Sequence, residues 1–422
     1  MKNSRRDFIK TTALFGAAAA LSATPFGSAL ASSSGKKVKL GVIGTGGRGR
    51  YLTTHLFKQT LTSDYEIVAL CDNYQPSLDA AIKLCKNNKV TPKTYTDYRQ
   101  LIKHSGVDGV IIATPLFTHA HITIDCLEAG IHVLCEKSMA RTLDDTKAMY
   151  DAHIKTGAIL IIGHQRLFNQ KYLHAMDQIH KGELGAINQI KAQWHRNNDW
   201  RRKVPKDKPE LERQINWRLY KEYSAGLYTE LMSHQLQVSN WALQKLPTSV
   251  MSMGSISYYK DGREVPDNVA AIFEYDDGTH FLYDTITSNK LEGCEERING
   301  DFGTMFLETN VYKPEKPPKP KPAPGIMQLV NDIQEGIFKE VPIGGASWAP
   351  ETALKHNGVE IYKGQEGDGT REQLVSFMGF VKQHKAPEWL LREGYNASIW
   401  TLLTEQAMET GTKVTCPEKY II

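Results

Sequence analysis

One stretch narrows what this chain can fold into more than any other: Val38-Lys39-Leu40-Gly41-Val42-Ile43-Gly44-Thr45-Gly46-Gly47-Arg48-Gly49. An apolar run leads into Gly44, Gly46 and Gly49 in G-x-G-x-x-G register, the pattern of a buried strand, a tight turn and a helix. Each glycine then has its own task. Gly44 makes the turn, Gly46 lets main chain approach a pyrophosphate, and Gly49 lets the helix pack close to the strand. The helix N-terminus offers unpaired N–H groups to the phosphates, and Thr45, Gly47 and Arg48 complete the candidate cofactor contacts in the turn. A second β-rich run, Tyr65 to Cys71, ends in Asp72 at the distance this fingerprint requires. An acid there accepts hydrogen bonds from ribose hydroxyls and repels a 2′-phosphate, which predicts NAD rather than NADP.

From Lys39 to Ile162 strand and helix patterns alternate, so residues 37–163 are expected to form a doubly wound parallel sheet, a Rossmann domain. Asp108 to Ala113 is a continuous apolar strand that stops at Thr114-Pro115, because proline cannot donate to a ladder. A helix from His119 to Ala129 follows, and the strand His132 to Cys135 delivers Glu136, Lys137 and Ser138 at its carboxyl end. Ligands of such sheets bind at the carboxyl ends of the strands. The glycine turn, Asp72, Thr114, Pro115, His119, Glu136 and Lys137 should therefore meet in one crevice.

A chain of 422 residues is too long for one ordinary core, and the texture changes beyond Arg166. Ile187–His195, Val250–Tyr259, Asn268–Tyr275 and His280–Thr287 are β-rich, and Asp276-Asp277-Gly278 is a hairpin signal. Residues 164–422 are expected to form an α+β domain with a large, mostly antiparallel open sheet, whose exposed face would pair subunits in a homo-oligomer. Lys313 to Gly325, with six prolines among lysines, reads as an extended exposed loop. Arg371–His384 and Ala397–Thr410 read as helices returning to the first domain.

Residues 1–31 follow the order of an export signal: Arg5-Arg6 in a basic stretch, the apolar run Ala13 to Leu21, and Ala29-Leu30-Ala31 as a cleavage site. The apolar run is too short to span a bilayer, and no cysteine follows it to carry a lipid, so no membrane anchor is expected. The twin-arginine translocase would carry the folded protein to the periplasm. Without these residues, which hold Lys2, Arg5, Arg6 and Lys10 against Asp7, the formal charge of +4 falls to about +1. A nearly neutral protein gives no electrostatic case for nucleic acid. The six cysteines lack C-x-x-C spacing and the histidines are scattered, so no metal site is expected.

The ordered set of strand, G-x-G-x-x-G, strand ending in Asp72, Thr114-Pro115 with His119 beyond it, and Cys135-Glu136-Lys137 resembles the Gfo/Idh/MocA family, named for glucose–fructose oxidoreductase and inositol dehydrogenase. Gly226 to His234 resembles that family's second signature, with an acid and a histidine four residues apart. The resemblance implies a Rossmann domain joined to an open-sheet domain, and oxidation or reduction of sugars and cyclitols. It makes Lys137 the active-site lysine, held by Glu136, and His234 a relay or base oriented by Glu230, with Tyr228 directed into the cleft. A partly desolvated lysine can exchange a proton with a substrate hydroxyl. Three positions depart from the family: Ser138 stands where proline is usual, Glu230 where Asp is usual, and Gln237 where an acid is usual.

The run Trp194-His195-Arg196 and onward to Arg202 combines stacking rings with bidentate donors, the mixture that polyhydroxylated ligands need. Trp194, His195 and Arg196 are candidate substrate contacts, as are Arg166 and Asn169 after the last Rossmann strand. The expectation is an exported NAD-dependent oxidoreductase acting on a sugar, glycoside or cyclitol hydroxyl, with NAD bound tightly and recycled in place. Two alternatives stand beside it. One is an NAD-dependent glycosidase working by transient C3 oxidation and elimination, similar to glycoside hydrolase family 109. The other is a non-catalytic dinucleotide or sugar sensor on the same fold.

Overall fold

The computed structural model describes residues 37–58, 64–315, 358–365 and 367–422. The export signal at residues 1–31 and most of the Pro/Lys-rich segment at 313–325 lie outside the described residues. None of the described helices is long and apolar enough to cross a membrane.

The first domain is a six-stranded parallel sheet. Its strands are β1 (Val38–Ile43), β2 (Tyr65–Cys71), β3 (Lys93–Tyr95), β4 (Gly109–Ile112), β5 (His132–Cys135) and β6 (Leu160–Ile162). They lie side by side in the order β3-β2-β1-β4-β5-β6, the doubly wound order whose direction of growth reverses between β1 and β4. The apolar runs have a simple cause: with helices on both faces every strand position is buried, as all four residues of β4 and of β5 are. Cys71, Cys85, Cys126 and Cys135 are part of that buried core. Helix α1 (Gly47–Phe57) starts directly from the glycine turn.

The second domain is an eight-stranded sheet in which β7 (Ile187–Trp194) pairs in parallel with β10 (His280–Ile286) and antiparallel with β11 (Cys294–Gly300). Strands β8 (Ser249–Ser255) and β9 (Asn268–Glu274) continue the sheet antiparallel to one side of β10. The turn at Asp276-Asp277-Gly278 joins β9 to β10, with Gly278 at φ +82°. Along β9 burial alternates strictly, so one face packs inward and the other is open, exposing Met251, Met253 and Ile272. Helices at Thr370–Gln383 and Glu388–Thr410 return to the first domain, where Lys382 pairs with Asp64 at 2.5 Å and Gly394 lies against Ile162. The last helix starts nine residues earlier than its periodicity suggests, immediately after Pro387.

Candidate active site

The glycine turn explains two of its three glycines from within. Gly44 has φ +88°, and a β-carbon there would lie 2.6 Å from the main chain at Ala113 and Thr114. At Gly49 a β-carbon would come within 2.0 Å of the Gly44 carbonyl oxygen. Gly46 differs: its φ of −61° suits any residue, and a β-carbon would meet nothing within 4 Å. Neither strain nor packing calls for glycine at this position, and the open space above it fits the approach of a dinucleotide pyrophosphate to main chain. Asp72 is tied into the same turn. Its Oδ2 accepts from the Thr45 N–H (2.7 Å) and hydroxyl (3.0 Å), and its Oδ1 from the Tyr74 N–H (2.8 Å). Three of its four acceptor positions are taken, so the predicted ribose contact has one left, and pinning the turn is its main structural task.

The carboxyl ends of β1, β4, β5 and β6 open onto a cleft of about 590 Å³ between the domains. Arg48, Thr114, His119, Glu136 and Lys137 line the Rossmann side, while Trp194, Arg196, Glu230 and His234 line the other. Pro115 opens the turn after β4 but does not reach the cleft wall. His119 is buried, with Nδ1 2.9 Å from the Ser138 carbonyl and Nε2 3.0 Å from the Thr114 carbonyl. It bridges the segments following β4 and β5, and burial pushes its pKa down.

Lys137 stands between the domains. Its Nζ donates to the carbonyls of Thr229 (3.0 Å) and Glu230 (2.9 Å). Those carbonyls belong to a widened helical turn, Tyr228–Met232, in which the Ser233 N–H reaches back five residues to Tyr228. Such turns free main-chain groups for other partners. Burial lowers the Lys137 pKa, while Glu230 and Glu136 act in the opposite direction. Glu136 does not hold Lys137 as expected; it accepts from Arg48 Nε at 2.7 Å, in room left by Gly163 opposite. The peptide between Lys137 and Ser138 is cis.

Glu230 and His234 both reach the cleft, as their spacing predicts, but they are not bonded to each other. The Glu230 carboxylate accepts from Arg218 Nε at 2.7 Å. Burial pushes that carboxyl up, yet Arg218 and Lys137 outweigh it and hold the pKa below the usual glutamate range. Nδ1 of His234 is buried without a hydrogen-bond partner among the described residues, and its ring meets His164 (5.8 Å between centroids) and Trp194 (5.6 Å). Burial, with Lys137 and Arg166 nearby, drives its pKa well below that of an ordinary histidine, so the ring is neutral. His164 is neutral for the same causes, with a pKa of about 3.

Four other predicted contacts are corrected. Tyr228 is fully buried and turns away from the cleft; its hydroxyl bonds Ser252 Oγ (2.6 Å) and the Met253 carbonyl (3.3 Å). His195 points to the opposite side of the strand end from Trp194 and Arg196, where its Nε2 meets Asp284 at 2.6 Å, because successive residues alternate faces. Asn169 caps the helix Gln170–His180 and donates to the Gly367 carbonyl. Arg166 is buried in an ion network, 2.8 Å from Glu296 and also paired with Glu308. Cys294, Glu296 and Glu308 bring metal-ligand atoms within 4.8 Å of one another, a grouping that no sequence spacing announced. The Arg166 guanidinium is the cation at that grouping, with Nη2 3.3 Å from Cys294 Sγ.

The polar and aromatic wall residues that the sequence does not announce are Gln165, Trp217 and Arg218. Trp217 and Arg218 lie in a short turn with no periodic signal, and only the Trp-Arg pairing, with Arg218 over the Trp217 ring at 4.2 Å, hints at a built surface.

Residues 38–164 match the oxidoreductase family with an NAD-binding Rossmann fold, and residues 172–306 match the Gfo/Idh/MocA C-terminal domain. A glycosyl hydrolase family 109 protein of Stenotrophomonas maltophilia is 33% identical over 195 residues, 44% of this chain and 41% of that protein. The chain thus matches about two fifths of that relative's length. Among solved structures, the WlbA dehydrogenase from Bordetella pertussis, in complex with NADH and UDP-GlcNAcA, has a TM-score of 0.67 at 18% identity, over 92% of this chain and 99% of that one. Myo-inositol 2-dehydrogenase from Lactobacillus plantarum has a TM-score of 0.66 at 17% identity, over 90% and 100%. At those identities the likeness is one of fold.

Proposed function

Because this chain belongs to the Gfo/Idh/MocA family of NAD-binding oxidoreductases, we propose that it acts on a hydroxyl of a sugar, glycoside or cyclitol, with Lys137 and His234 handling the proton. The observation that carries this is the placement of Lys137: an amine of lowered pKa, pinned by two carbonyls, in a cleft that a neutral histidine and Arg48 of the glycine-turn helix also line.

NAD, held by the turn from Gly44 to Gly49 and by Thr114, would supply hydride acceptance and return at its nicotinamide. The protein's own part is proton transfer and orientation. The carbonyls of Thr229 and Glu230 take two N–H groups of Lys137, which leaves its third position as a proton in the ammonium form or a lone pair in the amine. Lys137 can therefore take or return a hydroxyl proton without moving. His234, a neutral imidazole, is a second proton acceptor on the facing wall. Trp194, Arg196 and Gln165 offer a ring face and hydrogen-bonding groups to a polyhydroxylated ligand.

The expected export signal, Arg5-Arg6 with the apolar run Ala13 to Leu21, is part of the proposal. A periplasmic enzyme has no soluble NAD pool to draw on, so the cofactor would be loaded before export, kept tightly and recycled in place. A homo-oligomer through the open sheet face is also proposed, on the apolar pair Met251 and Ile272, which are register partners there. Light scattering of the purified protein checks it.

The family 109 relative favours a second reading, in which oxidation at C3 is transient and the aglycone at C1 leaves by elimination. Mass and absorbance analysis of purified protein for retained NAD, followed by incubation with free sugars and aryl glycosides, separates the readings. Aglycone release with no net NADH selects the glycosidase. Neither turnover nor bound cofactor would sink both, and bound cofactor without turnover would select the sensor.

A further inference from the structure

The cleft wall carries more positive charge than it neutralises within itself. Arg48 is paired with Glu136, Arg218 with Glu230, and Arg201 with Glu212 and Asp261. Arg196 and Arg202 have no carboxylate and no hydrogen-bond acceptor for their guanidinium groups among the described residues; Arg196 stacks on Trp194, whereas Arg202 is exposed, although its main chain is tightly held. Its N–H donates to Asn216 Oδ1 at 2.7 Å, and its carbonyl accepts from Asn216 Nδ2 at 3.1 Å. Asn216 is itself buried and bonded to Glu212 at 3.0 Å. The side chain thus springs from a fixed mount on the second domain and crosses to the first. Its Nη2 lies 3.7 Å from where a β-carbon of Gly47 would stand, at the start of α1. The nearest charges are mostly of its own sign, Arg218 and Arg50, and Arg50 is anchored on the Thr45 carbonyl of the glycine turn. Two guanidinium groups, Arg202 and Arg50, thus stand at one helix start, neither with a carboxylate partner among the described residues, a setting that suits an anion.

We propose that Arg202 reaches across the interdomain cleft to hold the cofactor's pyrophosphate against the turn at Gly46 and Gly47, so that the second domain helps retain the dinucleotide. The inference rests on the NAD reading above and adds a residue that the Rossmann fingerprint does not contain. It gives tight retention a physical basis, because release would require breaking a charge-assisted contact from the other domain as well as those of the turn.

The test is binding, not turnover. The full chain, freed of nucleotide, is titrated calorimetrically with ADP-ribose, which carries the pyrophosphate, and with adenosine, which lacks it. Arg202→Ala is expected to weaken ADP-ribose about 10- to 100-fold and to leave adenosine unchanged. Arg202→Lys should recover part of the loss, and NAD should leave Arg202→Ala faster than wild type after dilution. A melting curve matching wild type excludes misfolding, and Arg202→Gln, which keeps the stem, serves if the alanine variant is unstable. Unchanged ADP-ribose affinity overturns the proposal, as does an equal loss for adenosine. A wild-type chain that binds neither NAD nor ADP-ribose overturns the NAD reading first, and the clamp with it.

Discussion

Lys137 is joined to Glu230 through the main chain: its Nζ donates to the Glu230 carbonyl at 2.9 Å, while the Glu230 carboxylate turns to Arg218 at 2.7 Å. The acid of the second signature therefore acts on the lysine as a nearby charge and not as a hydrogen-bond partner. Two residues from different domains are locked together without neutralising the amine, which keeps it available for proton exchange.

Removing the amine should abolish chemistry and spare binding. Lys137→Ala is expected to lower kcat by about 10²- to 10⁴-fold, the range of a general acid or base, with NAD content per chain unchanged. Turnover at the wild-type level would take Lys137 out of the mechanism.

The pH dependence has a definite sign. Burial lowers the Lys137 pKa from the 10.5 of an ordinary lysine, so the base form is populated above that lowered value and oxidation should rise with pH through it. The charge of Glu230 acts to raise the same pKa. Glu230→Gln should thus move the inflection of the kcat/KM profile to lower pH, and a shift upward would contradict the electrostatic assignment. The Glu230 carboxyl, held below its ordinary 4.5, contributes stability above that value and loses it as pH falls through the lowered one.

The glycines of the turn should separate by assay. Gly49→Ala would press a methyl group onto the Gly44 carbonyl at 2.0 Å, and a destabilisation of about 3 kcal/mol or more is expected in a denaturant titration. Gly46→Ala, facing open space at φ −61°, should melt like wild type and lose affinity for NAD. Equal melting losses in both variants would remove the case for a ligand above Gly46.

Tyr228 is expected to matter for stability alone. Tyr228→Phe removes the hydroxyl that bonds Ser252 and the Met253 carbonyl, at a cost of about 1–2 kcal/mol, with kcat per folded molecule unchanged. A fall in kcat of the size expected for Lys137→Ala would return this hydroxyl to the reaction.

Arg196 and His195 show how far periodicity carries. Alternation along a strand predicts that neighbours face opposite ways, and Trp194 and Arg196 do share the cleft while His195 turns to Asp284. Composition alone makes all three look like ligand contacts. Arg166 and Asn169 looked equally suitable by residue type, but a buried acid network claims one and a helix start claims the other. Arg218 and Trp217 are illegible because a short turn carries no repeat, and their place on the wall comes from contacts within the second domain, where the Leu219 carbonyl accepts from the Glu264 N–H at 2.8 Å.

The sequence by itself determined the parallel sheet, the glycine turn, the acid at the end of β2 and the lysine at the end of β5, because these follow from local periodicity and from the steric needs of single residues. Only the tertiary structure decided which charges pair. Glu136 went to Arg48 and not to its neighbour Lys137, Glu230 to Arg218 and not to His234, and Lys137 to carbonyls more than ninety positions away. The physical reason is that a buried charge or donor takes whatever complementary group the packing of two domains brings within about 3 Å, and that proximity is a property of the folded chain, to which spacing along the sequence is blind.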